Sequence, residues 1–192
     1  MKTNRHSVQV ERSAGQAAPA PVAGRRGTSR PATPERGREI LPHTADTGLR
    51  AWAPDLPGLF EEAAAALGEI AAEFSDVADV AATTAEPAEP AERAEPADVR
   101  VAVEAPDLAG LAFAWLNELI GLADVHHAAL AGTTVGRVDH ASKGCALDAV
   151  ARYVDRAAPG VRLRHDVKSA TFHGLAVRRT GRTWSMVAYL DI

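Results

Sequence analysis

Carboxylates near the two ends of the chain are the residues best placed to do chemistry. Leu41-Pro42-His43-Thr44-Ala45-Asp46-Thr47-Gly48-Leu49-Arg50 opens the ordered part of the sequence, and Asp46 lies in a turn-prone context two residues before Gly48. One reading is an Asx turn, in which the carboxylate bonds the backbone two residues on. The other is a ligand for a hard cation, with His43 close by in the chain. At the far end, Tyr189-Leu190-Asp191-Ile192 is apolar and strand-like, with an aspartate next to last. A terminal strand docked in a sheet would hold Asp191 and the terminal carboxylate of Ile192 in fixed positions. Two aspartates and a terminal carboxylate form an all-oxygen donor set, suited to Ca²⁺, Mg²⁺ or Mn²⁺ rather than zinc. Spacing alone does not bring residues 46 and 191 together.

Other chemistry finds less support. His126-His127 and His140 read as surface or hydrogen-bonded histidines before they read as ligands. The single cysteine, Cys145, excludes an internal disulfide framework and a Cys-rich zinc site. No phosphate-binding loop, dinucleotide fingerprint or nucleophile elbow occurs. The formal charge of -4 argues against a protein that coats DNA. The first fifteen residues carry no apolar run of the secretory type, and no stretch reads as a membrane span. A soluble cytoplasmic protein, not tied to a membrane, is expected.

The elements that would position these residues fall into two helices and several strands. Asp55 reads as a helix N-cap, with Pro57 in the first turn and Leu59, Phe60, Ala63, Ala64, Leu67, Ile70 and Phe74 at helical spacing. A second helix starts at Asp107 and carries Leu108, Leu111, Ala112, Trp115, Leu116, Leu119 and Ile120. Strands are predicted at Arg100–Val103, Val125–Leu130, Thr133–Asp139, Ala170–Arg178 and Trp184–Leu190, with Arg179-Thr180-Gly181-Arg182 as a hairpin turn. Ala146–Arg156 fits either a helix or a strand. The expected class is α+β: a compact single domain with two main helices packed on a mostly antiparallel β-sheet. Residues 1–39, with eight basic side chains against three Glu, read as a disordered basic tail. Residues 76–98 contain the run Ala-Glu-Pro in repeated form and read as an extended acidic linker that interrupts a domain of residues 40–192.

The pattern His43-Thr44-Ala45-Asp46-Thr47-Gly48, followed by an Ala-rich helix, resembles the archease family. The second helix and the C-terminal block VKSATFHGLAVRRTGRTWSMVAYLDI, with its final Asp-hydrophobic pair, resemble it too. The resemblance covers about His43–Phe74 and Arg100–Ile192. It implies a compact α+β fold and an accessory role toward an RtcB-type RNA ligase in tRNA splicing and RNA repair. Such a protein promotes guanylylation and turnover of the ligase, has tRNA or other RNA as an indirect partner through it, and is not itself an enzyme. The resemblance also implies metal-site residues at Asp46, Asp191 and Ile192, a divalent cation (Ca, with Mg or Mn as alternatives), and His43, His165 and His173 lining the site. This sequence departs from relatives in two places. Gly174 follows His173 where they often have Asp, and Val161-Arg162-Leu163-Arg164-His165 replaces a Pro-Glu-Lys-His stretch, with His165 aligned to the family histidine. Two rival functions use the same residues differently. A metal-assisted phosphoesterase would use Asp46, Asp191 and His43 or His173 as base. A chaperone-like or RNA-binding module would use Arg162, Arg164, Lys168, Arg178, Arg179 and Arg182.

Overall fold

Two aspartates start the two helices. Asp55 sits extended (φ -134°, ψ 167°) and its Oδ1 accepts the Gly58 N–H at 2.8 Å, opening α1 over Leu56–Ala71. Asp107 does the same for Gly110 at 2.7 Å and opens α2 over Leu108–Val125. The computed structural model describes residues 36–41, 47–75 and 97–192. The expected tail up to residue 35, the stretch with His43 and Asp46, and the linker from 76 to 96 lie outside the described residues.

Nine strands accompany the helices among the described residues: β1 (Gly37–Leu41), β2 (Thr47–Ala53), β3 (Ala72–Phe74), β4 (Ala97–Ala105), β5 (Ala128–Ala141), β6 (Gly144–Asp155), β7 (Val161–Leu163), β8 (Ser169–Thr180) and β9 (Thr183–Asp191). They form a four-stranded sheet in the order β1-β2-β9-β8, a three-stranded sheet β4-β6-β5 and the small pair β3-β7. Every pairing is antiparallel. The class is α+β, as the sequence implies, with the strands shared among three sheets.

Both helices contact both larger sheets. α1 rests on β1, β2 and β9 on one side and β5 on the other, while α2 rests on β8 and on β4, β5 and β6. Period-two alternation in the strands turns Leu49, Ala51 and Ala53, and Met186, Ala188 and Leu190, toward the helices. Trp115 is fully buried in the stripe of α2, and its Nε1 donates to the Phe60 carbonyl at 3.2 Å. Tyr153 donates its hydroxyl to the Leu119 carbonyl at 3.0 Å, and burial pushes its pKa well above the ordinary tyrosine value.

One open alternative is resolved, and three sequence expectations need correction. The ambiguous segment is strand β6: Cys145, Leu147, Ala149, Ala151 and Tyr153 are buried at alternate positions, while Val150, which a helix would bury beside Leu147, is exposed. Val125 ends α2 and does not begin a strand, and the two short strands expected after it are the single bulged β5. Arg36 to Glu39, assigned to the tail, and Ala97 and Asp98, assigned to the linker, are ordered. β1 pairs with β2, and Asp98 in β4 bonds Arg152 at 2.8 Å. Finally, α2 has 18 residues and a mean hydropathy of 1.4, long and apolar enough to cross a membrane by length and composition. Its apolar stripe is instead occupied by protein, since Leu111, Trp115, Leu116 and Leu119 are wholly buried in the core.

Candidate functional site

The end of β9 is held from both sides. On one side Thr47 is the register partner of Leu190, so β2 begins beside the last turns of the chain. On the other, Ser169 pairs with Asp191, and the Lys168 N–H donates to the Asp191 carbonyl at 2.8 Å. Leu190 is fully buried, and Ile192 is half-buried against the core. Between these anchors the Asp191 side chain is exposed, and among the described residues no basic group forms an ion pair with it. A carboxylate fixed by its backbone and left unneutralised fits a cation-binding role.

Asn117 sets the start of β8 next to that carboxylate. Its Oδ1 accepts the Ala170 N–H at 3.0 Å, and its Nδ2 donates to the Phe113 carbonyl at 2.9 Å and the Ala170 carbonyl at 3.3 Å. The sequence expectations do not include this residue, although the one amide in an otherwise largely apolar second helix is a signal for it. A polar recess of about 290 Å³ lies alongside, lined by Asn117, Asp124, Asp166 and Lys168 among others.

The predicted histidines scatter. His173 is exposed in the irregular stretch of β8, where the register with β9 jumps between Thr171 and Ala176. His165 is exposed in the segment between β7 and β8, and its side lines a largely apolar cavity of about 230 Å³ with Leu67, Leu119, Ile120 and Leu130. His126 caps α2, and His140 stands edge-on to Trp184 at 6.3 Å. Among the described residues no three of His, Cys, Asp and Glu cluster as a metal site. Asp191 and Ile192 adjoin through the chain; Asp46 and His43 fall outside the described residues. Cys145 is buried, and burial with nearby Asp107 pushes its thiol pKa up, which disfavours the reactive thiolate.

Gly174 explains its own departure from Asp. Its φ is +68°, and a Cβ placed there would come within 2.8 Å of the Tyr189 ring. The ring also lies against Gly48, where a Cβ would meet it at 3.1 Å, so two glycines make room for one aromatic.

A second polar assembly was not foreseen. Glu62 on α1 is 7% exposed, the one buried charged residue among those described. Arg36 donates to it through Nε and Arg38 through Nη1, the latter at 2.7 Å, while the same arginines reach Glu61 and Glu69. Burial pushes the Glu62 pKa up, but the two guanidinium hydrogen bonds outweigh it and the net shift is downward. The assembly clamps edge strand β1 onto α1.

Two helices held between antiparallel sheets, with the last strand carrying an exposed carboxylate at its end, define a small α+β domain. The chain belongs to the Archease protein family (MTH1598/TM1083), which matches residues 39–192. Among solved structures it is similar to protein 1598 of Methanobacterium thermoautotrophicum, at 25% identity and a TM-score of 0.56, covering 81% of this chain and 99% of that one. It is also similar to an archease of Thermotoga maritima described as a possible chaperone, at 16% identity and a TM-score of 0.45, covering 80% and 96%. Among curated proteins none matches the chain.

Proposed function

We propose that this protein is a metal-dependent accessory of an RtcB-type RNA ligase, promoting guanylylation and turnover of the ligase in tRNA splicing or RNA repair. It acts in the cytoplasm and seals no RNA itself. Family membership supports the reading, and one structural observation carries it to particular residues: the pairing of Thr47 with Leu190. Asp46 is covalently next to Thr47, and Asp191 is covalently next to Leu190. The register thus pairs the immediate chain neighbours of two aspartates that are 145 positions apart in sequence. Asp46, Asp191 and Ile192 would hold the cation, calcium first and magnesium or manganese as alternatives. The donors are all oxygen, as hard cations require. When bound, such a cation supplies positive charge that can orient a nucleotide phosphate. The protein's own part is positional: Lys168 and Asn117 fix the backbone on which Asp191 stands.

The test is guanylylation of a purified RtcB-type ligase with limiting nucleotide, with and without the full chain. Faster guanylylation and multiple turnover are expected with it. Asp191→Ala should abolish the stimulation while the thermal melt stays native. Stimulation absent with the wild-type chain would remove the ligase assignment; stimulation intact in Asp191→Ala would remove the metal role.

A further inference from the structure

The ion pairs of this protein are unevenly distributed. Among the described residues seven of twelve arginines, Arg36, Arg38, Arg137, Arg152, Arg156, Arg162 and Arg164, contact a carboxylate. Three of the remaining five, Arg178, Arg179 and Arg182, sit together at the tip of the β8–β9 hairpin, all exposed. From Val167 to Leu190 the sequence contains these three, Lys168 and no acidic residue, within a chain of net charge -4. The tip therefore concentrates positive charge that pairs with no carboxylate among the described residues.

The cluster has a rigid base. Arg179 and Trp184 are register partners, and the guanidinium carbon lies 5.4 Å from the Trp184 ring centroid. His140, from the tip of the neighbouring β5–β6 hairpin, stands edge-on to the same Trp184 ring at 6.3 Å. Gly181, with φ +62°, closes the turn between Thr180 and Arg182. An arginine braced against an aromatic loses less freedom on binding than one waving in solvent.

We infer that the β8–β9 tip binds the phosphate backbone of a single-stranded nucleic acid, with Arg178, Arg179 and Arg182 each neutralising a phosphate. Guanidinium forks match phosphate oxygens in geometry. An acidic protein surface is the other polyanion to consider, but specific protein partners are anchored by apolar or aromatic groups. The exposed large apolar residues among those described are Ile40, Phe74, Val125, Val150, Leu163 and Phe172, none of them at this tip. A surface that holds its partner by charge alone suits a polymer with a charge on every unit. Taking that polymer as RNA rests on the ligase reading. The tip and Asp191 lie at opposite ends of β9, about 26 Å apart along an extended strand. RNA at the tip thus leaves the carboxylate end free.

The test is fluorescence anisotropy of a labelled, unstructured RNA oligonucleotide with the full chain and with R178A/R179A/R182A, from about 50 to about 200 mM salt. Three phosphate contacts contribute a slope of roughly -2 in log affinity against log salt, or about 18-fold over that range. The wild-type slope should exceed that of the triple variant by this amount, and the variant should bind at least ~10-fold more weakly at the lower salt. Ultraviolet crosslinking of the same RNA to the wild-type chain should map to residues 178–184, a readout independent of how the variant folds. Equal affinity and slope for the two proteins, crosslinks confined to residues 1–35, or displacement of RNA by polyglutamate at equal charge concentration would each overturn the inference. No RNA binding by the wild-type chain beside intact stimulation of guanylylation would sink this inference alone, and RNA binding at the tip without any stimulation by the wild-type chain would sink the ligase reading alone.

Discussion

Replacing Glu62 by Gln tests whether β1 is held by charge. The substitution keeps the shape and one acceptor oxygen but removes the charge that two guanidinium groups address. A hydrogen bond to a charged group is worth ~1.5–3 kcal/mol when well buried. The Glu62 side chain is 9% exposed, yet Arg36 and Arg38 are 46% and 34% exposed, so solvent screening lowers the yield of each bond. The expected loss at neutral pH is about 1–2 kcal/mol, or a fall of roughly 2–8 °C in the melting midpoint for a domain of this size. The pH dependence gives the sharper result. The folded pKa of Glu62 lies below its ordinary value of 4.5. Its contribution is therefore full above that value and is lost as the pH falls through the lower, folded value. Urea titrations of wild type and Glu62→Gln should differ at pH 7 and converge as the pH falls below 4.5. Because among the described strands β1 pairs with β2 alone, its amide exchange should accelerate more than that of β6. A stability difference that persists undiminished at low pH would refute the ionic clamp and leave packing as its cause.

Trp115→Ala should cost ~3–5 kcal/mol by urea titration, since the ring is wholly buried; a value below ~1 kcal/mol would contradict its place in the core. Gly174→Ala should cost about 2 kcal/mol, from a left-handed φ and from contact with the Tyr189 ring, and an unchanged melt would show that the β8 irregularity yields freely. One polar residue added after Ile192 converts the terminal carboxylate into an amide, so calorimetric titration with Ca²⁺ should show weakened binding while folding survives; undiminished binding would exclude Ile192 as a ligand. Deleting residues 1–35 should leave the midpoint within a few degrees, whereas deleting through Leu41 should lower it clearly, because only the second removes β1 and its clamp.

What could be read from the sequence was what is local. The caps Asp55 and Asp107 act on residues three positions away, and the stripe Leu111, Trp115, Leu119 repeats at helical spacing. β6 was ambiguous because two of its five inward side chains are alanines, too small to mark a period of two, while Leu147, Val150 and Val154 imitate a helical face. β1 was missed because its stabilising partners, Glu62 and Glu69, lie 24 to 31 residues further along. The candidate site has the same difficulty in stronger form. Asp191 stands out by type and position, but its bearing on Asp46 depends on the register of Thr47 with Leu190, which no local pattern encodes. Register also separates the two polar features of the chain end. β9 pairs along its length with β2 and β8, so it cannot fold back to bring the Arg178–Arg182 tip against Asp191. An unpaired carboxylate and an unpaired arginine cluster would neutralise one another if they met. Held at opposite ends of one strand, each stays available to a partner of its own.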